Sequence, residues 1–148
     1  MPTTKDGPGL LPGTRTLAEG RNYAAIATLL PSGAIQNQVI WVDTDGDRLT
    51  VNTEVHRAKF KNVERDDRIT MLIIDATDPH HYAEVRGHVT ETRTGPDARA
   101  DIDALAQKYN GTDYGDDNIK SERVILFITP ERQTVVDQTG THGDGDGS

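Results

Sequence analysis

The stretch that decides the fold is Ala34-Ile35-Gln36-Asn37-Gln38-Val39-Ile40-Trp41-Val42-Asp43, followed by Thr44-Asp45-Gly46 and then Asp47-Arg48-Leu49-Thr50-Val51-Asn52-Thr53. Two runs suited to extended chain flank Asp45-Gly46, a pair that tolerates positive φ at both central positions of a type I′ turn. The reading is a β-hairpin. Upstream, Ala24–Leu30 is a second run, joined to the first by the short turn Pro31-Ser32-Gly33. Downstream, Ile69–Asp75 is almost continuously apolar and predicts a central strand. Tyr82–Val89 alternates over part of its length, and Gly87 within it predicts a bulge or a close backbone approach. Arg123–Thr129 predicts a last strand, closed by Pro130. The 18 threonines suit this much extended chain. Six strands with mostly hairpin-length links imply an antiparallel sheet, and closing it into a small barrel removes its edges.

One segment has helical periodicity. Ala98, Ile102, Leu105, Ala106 and Tyr109 recur on one face, with Pro96 at the first turn and Gly111 just past the end, which predicts a helix near residues 97–109. Two short helices are expected near Thr16–Gly20 and Arg57–Arg65. Residues 1–13 are rich in Pro and Gly and are expected to form an unstructured arm. Residues 139–148, acidic and Gly-rich, are expected to form an unstructured tail. One domain over residues 14–138 remains.

Composition narrows the function. With 148 residues and 34% apolar side chains, a core is affordable but small, and association of subunits would enlarge it. There is no Cys, which removes disulfides, thiolate metal sites and Cys nucleophiles. No apolar run is long enough to span a membrane, and the N-terminus lacks the apolar region of a secretion signal, so a cytoplasmic location is expected. A net charge of −8 disfavours nucleic-acid binding. Phosphate-loop, dinucleotide-fingerprint, zinc-protease and nucleophile-elbow motifs are all missing. His80 and His81 are adjacent, so on a strand they face opposite sides and do not chelate one metal. No catalytic side chain and no metal ligand is assigned. If the chain is an enzyme, a bound cofactor carries the chemistry.

Against the acidic background, His56-Arg57-Ala58-Lys59-Phe60-Lys61-Asn62 holds three cations and no acid. It follows a strand and opens a short helix, where free backbone N–H groups and the helix dipole favour anions. The residues leave two readings open. One is a solvated helix face. The other is a phosphate site, with Arg57 in bidentate contact, Lys59 or Lys61 as a point charge, and Asn52 and Thr53 as uncharged partners at the strand end. Trp41, the one tryptophan, is either core or interface packing or a wall for a planar ring.

Several segments in order resemble one family: Ala25-Ile26-Ala27-Thr28-Leu29, Ser32-Gly33, Val39-Ile40-Trp41-Val42, Val51-Asn52-Thr53, Arg57-Ala58-Lys59-Phe60-Lys61-Asn62, Asp66-Asp67-Arg68 and Tyr82-Ala83-Glu84-Val85-Arg86-Gly87. Together they resemble the pyridoxamine-phosphate-oxidase-like split β-barrel flavoproteins, and within them the actinobacterial F420-dependent flavin/deazaflavin oxidoreductases of the B type. The resemblance implies a mainly β protein: a six- to seven-stranded antiparallel split β-barrel with one long and two short helices. It also implies a homodimer with cofactor sites at the interface, and hydride transfer from reduced coenzyme F420 to an unsaturated or conjugated small molecule. Cofactor contacts carry over to Gln36, Asn37, Gln38, Val39, Ile40 and Trp41 along the ring, and to Asn52 and Thr53 at the strand end. They carry over also to Arg57, Lys59, Lys61 and Asn62 at the phosphate, and to Tyr82 near the site. FMN-type oxidases of the superfamily read Ser-Arg-Lys where this chain has Arg57-Ala58-Lys59, which favours the deazaflavin. An FMN enzyme on the same barrel and a non-catalytic binder of F420 or a tetrapyrrole are the alternatives. The acidic loop Asp113-Tyr114-Gly115-Asp116-Asp117 weighs toward FMN if it reaches the cofactor groove.

Overall fold

A computed structural model describes residues 2–138. The elements run β1 (Thr3–Asp6), α1 (Pro12–Glu19), β2 (Tyr23–Leu29), β3 (Ile35–Ile40), β4 (Asp43–Asp45), β5 (Arg48–Glu54), α2 (Ala58–Arg65), β6 (Arg68–Asp75), β7 (Asp78–Arg93), α3 (Pro96–Asn110) and β8 (Arg123–Asp137). Every strand pairing is antiparallel. The sheet order is β3-β2-β6-β7-β8-β5-β4, with β1 added to β8. β3 and β4 lie at opposite ends of this order, yet only Trp41 and Val42 separate them in the chain. From Ile40 to Asp43 extended chain reaches at most about 11 Å. The sheet therefore curls until its ends nearly meet, without pairing: an antiparallel split barrel whose seam is spanned by Trp41-Val42.

The barrel is filled by alternate residues of the strands, among them Ile26, Leu49, Val51, Met71, Ile73, Val85, Leu126 and Ile128. β8 is buried on both faces from Arg123 to Ile128, because α3 covers its outer side with Ala98 against Ile125 and Phe127. α3 has the predicted punctuation. Pro96 sits in its first turn, and Gly111, at φ 78°, caps it by donating its N–H to the carbonyls of Ala106 and Gln107.

Several expectations are corrected. The strand read as residues 34–43 is two strands at opposite ends of the sheet. The turn is centred on Gly46-Asp47, since Asp45 pairs with Arg48. Gly46 takes φ 62°, and no described non-glycine residue has positive φ, so the turn follows the II′ pattern and not I′. Residues 3–6, expected to be unstructured, pair with β8. The segment behind them is held by the fully buried Gln133, which accepts from the Leu11 N–H and donates to the Gly9 carbonyl. α1 begins at Pro12, four residues before its expected start, because proline fits the first helical turn. β8 does not end at Pro130. On one side β5 pairs only up to Ile128 and β1 begins at Arg132, so the proline falls in the gap between two partners. The described strands thus number eight, not six or seven. The tail 139–148 lies outside the described residues.

Candidate functional site

A pocket of about 260 Å³ opens beside the seam. Its apolar wall is made by Val39, Ile40 and Trp41 from the seam and by Ile102 and Leu105 from α3. Its polar end is Asn52 and Thr53 of β5, with Arg57, Lys59 and Arg123. Tyr23 and Tyr114 complete the lining.

The aromatic wall is held from behind. Trp41 stacks on Tyr109 with ring centroids 5.1 Å apart and planes 5° apart, while Tyr114 meets its edge at 6.4 Å. Tyr109 is fully buried, and its hydroxyl donates to the Asn22 carbonyl and accepts from the Val42 N–H. Lys108, next to it on α3, donates to the carbonyls of Ala18 and Val42. The last turn of α3 thereby fixes the backbone of the seam and the plane of Trp41.

The polar end is organised by Glu54, which is fully buried. One of its oxygens accepts from the backbone N–H groups of Lys120 and Ser121, each at 2.6 Å. The other accepts from Arg123 Nη1 at 3.1 Å and lies 3.8 Å from Arg57 Nη2. Burial pushes its carboxyl up, but the two backbone N–H groups and Arg123 outweigh this and hold it below its ordinary value. Asn52 is likewise committed. Its Oδ1 accepts from Arg123 Nε at 2.8 Å, and its Nδ2 donates to the Ala98 carbonyl and to Asp101. Its side chain therefore orients Arg123. Lys59 differs from both. It is 7% exposed, and among the described residues its amine has no hydrogen bond and no acidic partner. Burial, then the charges of Arg57 and Arg123, bring its pKa down to about 8. The Thr53 hydroxyl is also buried without a hydrogen-bond partner among the described residues.

Of the residues singled out from sequence, Val39, Ile40, Trp41, Asn52, Thr53, Arg57 and Lys59 come together in this pocket. Lys61 does not: it is exposed on the outside of α2. Of the two lysines offered as the point charge, Lys59 is the one beside Arg57 in the pocket, and Arg57 is the N-cap residue of α2, in extended conformation. Asn62 is buried away from the pocket and donates to Thr28 Oγ1 and Gln36 Oε1, tying α2 to β2 and β3. Asn37 and Gln38 are exposed on β3. Tyr82 stands on β7 between Ile74 and Val136, outside the pocket. Arg123, Tyr23 and Tyr114 were not singled out. Arg123 pairs with Glu54 across β5 and β8, a juxtaposition that exists only once the register is set. The acidic loop does reach the groove, through Tyr114. Two of its three acids are engaged outside the pocket: Asp116 with Arg99 at 2.6 Å, and Asp113 with Gln107.

Residues 11–137, nearly all of the described chain, match the family model for pyridoxamine 5'-phosphate oxidase. The chain belongs to this family. Among solved structures, the pyridoxamine 5'-phosphate oxidase family fold recurs in an F420 reductase that is 29% identical, with a TM-score of 0.73 over 84% of this chain and 98% of that one. It recurs in a conserved hypothetical protein of Mycobacterium tuberculosis, 17% identical, with a TM-score of 0.66 over 93% of this chain and 91% of that one. A pyridoxamine 5'-phosphate oxidase-related, FMN-binding protein of Nostoc punctiforme is 16% identical, with a TM-score of 0.54 over 74% of this chain and 71% of that one. No curated protein matches the chain.

Proposed function

We propose that the protein is an oxidoreductase that holds coenzyme F420 in this pocket and reduces an unsaturated or conjugated small molecule. The observation that carries the reading is Lys59, a buried cation with no acidic partner among the described residues, which shares with Arg57 and Arg123 one end of an aromatic-walled pocket. Burying an unpaired charge is costly, and an anionic ligand removes that cost. The unpartnered Thr53 hydroxyl beside it offers a further hydrogen bond. Arg57, Lys59 and Thr53 would hold the phosphate, and Trp41, Val39 and Ile40 would lie along the ring. When bound, the reduced deazaflavin supplies the hydride. The residues of the chain orient the ring and exclude water from one of its faces.

The reading includes a homodimer. Tyr23, Ile35 and Val39 are exposed, and the last two are 71% and 74% accessible. By register they share the outer face of β3, β2 and β6 with Ala25, Leu29 and Leu72. Tyr23 and Val39 also line the pocket, so a second copy on this face would close the cofactor site from the other side.

FMN is the second reading. Tyr114 brings an acidic loop to the pocket, which disfavours the long anionic tail of F420. Parallel titrations with F420 and FMN, followed by the fluorescence of Trp41, decide between them. Quenching by F420 at lower concentration than by FMN supports the first reading, the reverse order supports the second, and no quenching by either overturns both.

A further inference from the structure

We propose that Lys59 is an amine nucleophile, and that the pocket forms a reversible imine with small carbonyl compounds that carry an anionic group next to the carbonyl, such as 2-oxo acids and glyoxylate. The argument is geometric. Lys59 lines the pocket, although it is only 7% exposed. Exposed lysines of folded proteins remain fully protonated and solvated near neutral pH. Lys59 is surrounded by everything that disfavours the ammonium form. It is buried, and it sits in the first turn of α2, which contains no acid, at the positive end of the helix dipole. The guanidinium groups of Arg57 and Arg123 face it from the same pocket. The nearby acid, Glu54, is already shared by Arg123, Arg57 and two backbone N–H groups. A pKa lowered to about 8 agrees with that arrangement. Desolvation beside other cations is an established way to activate a lysine toward carbonyl carbon. The same two guanidinium groups attract a carboxylate, so the carbonyl beside it is delivered to the amine. The apolar side chains of Trp41, Ile102 and Leu105 form the wall beside it.

The step balances. The neutral amine adds to the carbonyl carbon, and the proton it loses passes to the oxygen, giving a carbinolamine. Loss of one water then leaves the imine. Nothing is oxidised or reduced until an external hydride donor is added.

The test uses the full chain, glyoxylate as the probe and cyanoborohydride as the reductant that traps the imine, followed by peptide mass mapping. The expected result is one adduct per chain at Lys59, ahead of the exposed Lys61. Its rate should rise with pH to a plateau just above 8. Acetaldehyde, which lacks the anion, should label Lys59 at least about tenfold more slowly, the size of one charge-assisted contact. Inorganic phosphate should protect Lys59 and leave Lys61 unprotected. Lys59→Arg should abolish the site-specific adduct while circular dichroism shows an unchanged fold. Labelling of Lys61 or Lys120 ahead of Lys59, or equal rates with both aldehydes, overturns the proposal. The outcome is independent of cofactor identity: a chain that binds neither F420 nor FMN but labels at Lys59 refutes the preceding reading and keeps this one.

Discussion

Lys59 and Arg123 are both buried cations in one pocket, and they answer to opposite energetics. Arg123 is paired with Glu54 and bonded to Asn52. Arg123→Met leaves the fully buried Glu54 carboxylate with two backbone N–H groups and the 3.8 Å approach of Arg57, which should cost up to about 3–5 kcal/mol of stability, read as a lower midpoint in urea denaturation. Lys59 has no acid to strand. Lys59→Met removes an unpaired buried charge and should raise the melting temperature, while weakening F420 or FMN binding about tenfold to a hundredfold. Arg57→Ala should weaken binding by a similar factor, and Arg132→Ala, whose guanidinium pairs with Asp6 on the far strand, should leave it unchanged. Equal affinity of the parent and the Lys59 and Arg57 variants in a fluorescence titration returns the basic segment to a solvated helix face. A lysine that lowers stability and raises affinity is what a binding site, and not a packing site, requires.

At the scale of elements, β7 and β8 approach tightly at Gly87. A Cβ on Gly87 would stand 2.3 Å from the Thr129 carbonyl oxygen, and the register shifts at this point. Because the obstruction is backbone, Gly87→Ala should destabilise by about 1–3 kcal/mol or more, measured by the urea midpoint. Next to it, His88 on β7 clasps the loop before β6. Its Nδ1 lies 2.8 Å from Asp67, and Glu131 of β8 lies 3.8 Å from Nε2. The hydrogen bond to Asp67 raises the His88 pKa above its ordinary 6.5. The folded state therefore favours the protonated ring. Its contribution is complete below pH 6.5 and is lost as pH climbs through the raised value. The melting temperature of His88→Gln should fall further below that of the parent at about pH 6 than at about pH 9, where the two should converge.

For the whole molecule, the outer face of β3, β2 and β6 carries the consequence. Val39 projects at 74% exposure from an edge strand, so Val39→Asp is compatible with the folded subunit and incompatible with an apolar interface. The parent should sediment as a dimer and Val39→Asp at the 16.2 kDa of one chain. If the parent itself sediments at that mass at micromolar concentration, the face has another role. Ile35→Asp, on the same face but outside the pocket lining, separates the two roles: if it loses the dimer and the cofactor affinity together, the pocket needs its partner.

The local elements are legible in short stretches of the chain. The alternation around residues 24–53, the apolar run at 69–75 and the spacing from Ala98 to Tyr109 specify strands and a helix, because period and turn chemistry act over a few residues. Gly87 was legible for the same reason, since an unsupported glycine in a strand marks a close approach. The cations of 56–62 were legible as a concentration of charge, but not which of them would be buried. That depended on Arg57 capping α2 from outside, which turns Lys59 inward and Lys61 to solvent. The rest came with the assembled fold. The break at Trp41-Val42 places two adjacent strands at opposite ends of a curled sheet. The register of β5 on β8 sets Glu54 against Arg123, residues 69 positions apart. The order of strands in a sheet and the pairing of distant charges depend on long-range contacts, and no window of a few residues contains them.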